Sequence, residues 1–202
     1  MRTMQLTQIK EHLYNELGTT FPAERRRDLI LEMKKLSDVK VHCFNCTGTC
    51  CTMSANSMQI TPLEAFEMLL SLEITPENVE EIRQKLKENI QHYRLDHEIS
   101  LGKKAHSHLR KTYTCPFFVP GPKGCTIKKE LKPYGCLGFN PRLENDNGSS
   151  CHSDQTLLEK RDNENLADEE AANLYLKKEF QIYWTKLEIP KALFHLIDKM
   201  FT

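Results

Sequence analysis

Residues 60–72, Ile60-Thr61-Pro62-Leu63-Glu64-Ala65-Phe66-Glu67-Met68-Leu69-Leu70-Ser71-Leu72, open with the local signals of a helix start. Thr61 suits an N-cap, Pro62 fits the first helical position, and Glu64 can return a hydrogen bond to the cap. Ala65, Met68, Leu69 and Leu72 then continue at helical spacing. Outward from this helix the same period recurs. Thr75-Pro76 begins a second stripe through Val79, Ile82, Leu86 and Ile90, reaching toward His97. Upstream, Leu6, Ile9, Leu13 and Leu17 form a stripe that Gly18 ends as a C-cap, and Leu29, Ile30, Met33 and Leu36 follow Pro22. Downstream, Leu157, Leu158, Leu174, Leu176, Phe180, Tyr183, Trp184, Leu193, Leu196 and Ile197 are the apolar positions, with Pro190 expected to separate two helices. No alternating strand pattern of any length occurs. The expected fold is mainly α with little β, plus one irregular cysteine-rich lobe organised by metal.

The 202 residues hold 28 basic and 28 acidic side chains, for a formal net charge of +0. Such a balance does not describe a polyanion-binding surface, so no nucleic-acid partner is expected. The run Arg25-Arg26-Arg27 lies inside a helical pattern and is expected to be a solvated helix face. No stretch approaches the roughly 18 apolar residues of a membrane span. The start, MRTMQLTQIKEHLYNEL, has no apolar signal core, which makes the cytoplasm the expected compartment. There, clustered cysteines bind metal or react more often than they form disulfides.

Three zones follow from these patterns: a helical segment over 1–40, a cysteine-bearing domain with a helical insert over 41–152, and a second helical segment over 153–202. All eight cysteines fall in the middle zone. Cys43 and Cys46 have the spacing at which two thiolates reach one metal from a tight turn. Gly48 frees the backbone to bring Cys50 and Cys51 back toward them. Adjacent side chains diverge, so the Cys50-Cys51 doublet points to two metals, a multi-iron cluster, or a ligand beside a packed or reactive thiol. Cys115, Cys125, Cys136 and Cys151 each sit beside a Pro, Gly or polar turn. The stretches 114–142 and 144–151 around them should hold little regular structure. Closing the loop from Cys51 to Cys115 costs roughly a few kcal/mol, against on the order of 10 kcal/mol from a structural zinc.

These blocks resemble the YkgJ-type cysteine-cluster family of zinc- or iron-chelating proteins. The resemblance rests on Cys43, Cys46, Cys50-Cys51, Ile60-Thr61-Pro62-Leu63-Glu64, Cys115-Pro116-Phe117, Cys125-Thr126-Ile127-Lys128 and Lys132-Pro133-Tyr134-Gly135-Cys136-Leu137-Gly138-Phe139. It covers the middle half of the chain. Here the spacer before the doublet is one residue longer than is commonest. Lys132 stands where the family usually has arginine, and Leu137 where an arginine follows the cysteine. The resemblance implies a metal centre but puts in doubt any activity that needs that last arginine. A related group with a similar cluster includes flagellin lysine N-methylases, which use S-adenosylmethionine. This chain is short for that enzyme and shows no convincing cofactor-binding loop.

Thiolates suit zinc and iron–sulfur clusters. The expected centre gathers Cys43, Cys46, Cys50, Cys51, Cys115, Cys125, Cys136 and Cys151 around zinc or iron, a 4Fe-4S cluster included. His42, His152, His106 and His108 are expected as polar turn or helix-end residues, and Glu64 as a cap. No nucleophile–base–acid set is legible. The alternatives are a metal-dependent enzyme, such as a lysine N-methylase or thiol oxidoreductase, and an interaction module whose helical flanks dock a protein partner.

Overall fold

The computed structural model describes residues 3–39, 48–97, 110–120, 124–140 and 151–201. Helix makes up 61% of it, so the fold is mainly α with small strands. At its centre lies α4 (Pro62–Ser71), which begins as its sequence requires. Thr61 Oγ1 accepts the Glu64 N–H at 3.2 Å, and Glu64 Oε2 accepts the Thr61 N–H at 2.9 Å. Every residue from Pro62 to Leu69 is buried, Glu64 and Glu67 included. α4 therefore has no solvent face along these residues, and its two carboxylates need partners inside the protein.

α4 packs against α7 (Gln155–Glu179) and α8 (Ile189–Phe201), and α5 (Val79–His92) lies along α8. The short antiparallel ladder of β1 (Gln59–Ile60) and β6 (Leu187–Glu188) joins the entrances of α4 and α8. Tyr113 fastens the same place, its hydroxyl donating to Met58 O at 2.6 Å and accepting the Ile189 N–H at 3.1 Å. Pro190 opens α8 rather than dividing two helices, since a first-turn N–H has no helical partner to lose. The core takes Leu6, Ile9 and Leu13 from the first expected zone, Phe66 and Leu69 from the second, and Leu176, Leu193 and Ile197 from the third.

α1 (Thr3–Glu11) runs into a π-helical turn, His12–Glu16, in which the Leu17 N–H reaches His12 O at 2.9 Å. The extra residue in that turn rotates the stripe. Leu13 and Tyr14 both become buried, and Leu17 is turned out to 42% exposure. Gly18 follows with φ +68°, the left-handed end expected of it. α5 stops at His92, short of His97.

The arginine run is not a solvated face. Between α2 (Pro22–Arg25) and α3 (Arg27–Asp38) the chain bends at Arg26, and the Arg25 and Arg26 side chains are fully buried. Both pair with Glu67, and Arg27 alone faces solvent. A carboxylate enclosed on α4 requires cations beside it, and this overrides the polar-face reading.

The remaining elements are small: β2 (Phe118–Val119) with β3 (Gly124–Cys125), α6 (Tyr134–Leu137), and β4 (Phe139–Asn140) with β5 (His152–Ser153). With the 3-10 turn Lys129–Leu131 these short elements take up more than half of the described residues of 114–142, where the sequence predicts little regular structure, and most of 144–151 lies outside the described residues. Tyr134 and Leu137 of α6 join Leu29 of α3, Leu157 and Leu158 in a second apolar cluster. Among the described residues no helix is long and apolar enough to cross a membrane.

Candidate metal centre

Gly48, at φ +72°, turns the chain into the 3-10 turn Thr49–Cys51, and the Cys51 N–H closes it on Gly48 O at 2.7 Å. The Phe118 ring lies where a Cβ on Gly48 would project, so the glycine also admits the β2–β3 hairpin. The turn brings the doublet together rather than apart: Cys50 Sγ and Cys51 Sγ are 3.9 Å from each other. Two thiolates on one tetrahedral zinc, with Zn–S near 2.3 Å, would stand about 3.8 Å apart. Adjacency in sequence therefore does not keep these two sulfurs from one ion.

Three further cysteines arrive from separate segments. The Cys115 N–H donates to Cys51 O at 2.8 Å, docking the Cys115-Pro116 strand onto the doublet turn. Cys125 is paired with Phe118 across the β2–β3 ladder. Cys136 is the third residue of α6. A cavity of about 210 Å³ is lined by Cys50, Cys51 and Cys136, with Met58, Arg110 and Ser153 among its other walls. Cys136 is exposed by its accessible surface and lines this concave space.

The thiols also feel each other. Burial pushes the Cys115 thiol up to about 12, with Cys125 adding to the rise and Lys85 and Lys132 opposing it. The Cys136 thiol is raised first by burial, then by Cys115, Cys125 and Cys50. Cys50 is raised by its hydrogen bond with Cys51 and by burial, against Lys132. The Cys50, Cys115 and Cys136 thiols are thus each made harder to ionise by a neighbouring cysteine, and Lys132 is the cation common to all three. A bound cation would reverse that sign.

Cys151 is half-buried just before β5, whose register sets Ser153 against Phe139 at the cavity wall. Cys43, Cys46, His42, His106 and His108 lie outside the described residues. His152 is in β5. Glu64 is a cap and no more available than that, because Oε2 serves Thr61 and Oε1 accepts the Tyr134 N–H at 3.0 Å. Leu137 is fully buried against α3, so the position that carries arginine in the family pattern here belongs to the apolar packing. Among the described residues, no three Cys, His, Asp or Glu side chains stand ready-made as a metal site.

Beside the cavity lies a cluster of charges that the sequence reading missed. Glu67 accepts from Arg25, Arg26 and Tyr14, the last at 3.0 Å. Burial would raise the Glu67 carboxyl, but Arg26 and Arg25 overcome it and hold it below its ordinary range. Glu64 goes the other way, raised by burial despite the Thr61 and Tyr134 N–H groups. One signal was available: Glu67 falls three residues after Glu64 in a run that is otherwise apolar on every face.

Compared with known proteins, the chain matches no family model, no curated protein and no solved structure.

Proposed function

We propose that this chain is a metal-binding protein whose centre, zinc or iron, is held by clustered cysteines. Cys50, Cys51 and Cys136, which line the cavity, are the first ligand candidates, and Cys115, Cys125, Cys43, Cys46 and Cys151 complete the donor set. The observation that carries this reading is that three thiols, Cys50, Cys51 and Cys136, line one cavity, with Cys115 docked by its backbone on Cys51 and with Cys115 and Cys125 acting on the Cys136 thiol. The donor chemistry fits: soft sulfur atoms suit zinc and iron, and the doublet's 3.9 Å spacing suits two ligands of a single tetrahedral ion. A metal so held would keep the thiolates ionised and tie the cysteine-bearing loops together. The YkgJ-type resemblance points the same way.

Cobalt(II) titration of the reduced, metal-free chain tests the reading. Thiolate-to-cobalt charge-transfer absorption should saturate at a defined stoichiometry, and Cys51→Ser and Cys115→Ser should each weaken it. Absence of that band in the wild-type chain would remove the proposal.

A further inference from the structure

A buried ion cluster adds little stability compared with apolar side chains of the same volume, yet this protein keeps one next to its cysteine cavity. Its hydrogen bonds show where it acts. Arg26 Nε donates to Lys132 O at 2.6 Å, and Glu64 Oε1 accepts the Tyr134 N–H at 3.0 Å. Both contacts are to backbone, on either side of Pro133, at the entrance of α6. The Tyr134 ring is then enclosed by cations. Arg161 stands 3.4 Å from its centroid and Arg26 4.3 Å from it. Its hydroxyl receives a hydrogen bond from Arg25 and donates to Glu169 Oε1 at 2.6 Å. The exit is fixed as well, by the Asp154 N–H on Gly138 O and by Asn140 Nδ2 on Leu137 O, each at 2.8 Å.

Within the four residues of α6, Tyr134 and Leu137 are buried and Cys136 turns to the cavity. A rigid Tyr134 therefore determines where the Cys136 sulfur stands. We propose that Tyr134, held by Arg25, Arg26, Arg161, Glu64 and Glu169, is a positioning residue for Cys136 in the thiol centre. This rests on the metal-binding reading for its purpose and on geometry for its substance. Partners of metal ligands commonly carry a ten- to hundredfold share of affinity without touching the ion. The cluster plays that part by locking a backbone segment.

The test is a double-mutant cycle on the full chain with Zn(II) as probe, its affinity read by chelator competition. Tyr134→Phe keeps the ring and removes the hydroxyl contacts. It should weaken zinc binding by about tenfold or more, and should cause no further loss in a Cys136→Ser background. An unchanged affinity, or an equal loss in both backgrounds, would overturn positioning through Cys136. If the wild-type chain takes up no zinc, the zinc form of the metal reading fails by itself. Iodoacetamide labelling then decides the positioning. A change in the Cys136 rate in Tyr134→Phe, with Cys115 unaltered, supports it, and unaltered Cys136 labelling overturns it.

Discussion

Glu64 and Tyr134 are joined by a single hydrogen bond, Tyr134 N–H to Glu64 Oε1 at 3.0 Å, which links the capped start of α4 to the short helix that bears Cys136. The same carboxylate closes the capping box on Thr61. One side chain thus couples the central helix of the fold to the candidate metal centre.

Glu64→Ala should therefore cost more than an ordinary cap. It loses the cap bond and strands the buried Tyr134 N–H, together worth about 2–4 kcal/mol. Glu64→Gln, which keeps one acceptor, should cost about 1 kcal/mol. Chemical denaturation of both variants checks this, and equal stabilities would contradict it.

Glu67→Gln should be among the most damaging single changes, at about 3–5 kcal/mol near neutral pH, because Arg26 would remain buried without a counter-charge and Arg25 would keep only Glu169. The cost should depend on pH. The folded Glu67 carboxyl is held below its ordinary value of 4.5. Its contribution is complete above that pH and is lost as pH falls through the lowered folded value. Denaturation curves of wild type and variant should converge in acid, and a gap that is constant with pH would contradict the assignment.

Gly48→Ala should loosen the turn that bears Cys50 and Cys51. A side chain at φ +72° is strained by about 1–3 kcal/mol, and its Cβ would meet the Phe118 ring. Site-resolved alkylation should find Cys50 and Cys51 more reactive in the variant. Unchanged reactivity and stability would show that the turn tolerates a side chain.

The parts of this molecule that sequence made legible are local. The Thr61–Glu64 box lies within four residues, and Gly18 ends the helix it follows. What escaped depends on distance. Arg25 and Arg26 looked like surface residues because their carboxylate partner, Glu67, is 42 and 41 residues away. Leu17 looked like a core residue because a π turn cannot be seen in an apolar period. The 3.9 Å approach of the Cys50 and Cys51 sulfurs depends on the torsions of the doublet itself, which spacing alone does not express. Cys43 and Cys46, the pair with the plainest ligand spacing, lie outside the described residues.

Metal content measures the central claim most directly. Protein purified without air should carry zinc or iron at one equivalent per chain or more by elemental analysis. A colourless sample identifies zinc, and a visible chromophore with inorganic sulfide identifies an iron–sulfur cluster. Replacing Cys50, Cys51, Cys115, Cys125 and Cys136 by serine together should abolish the metal. A wild-type preparation with neither element at stoichiometric level would contradict the account.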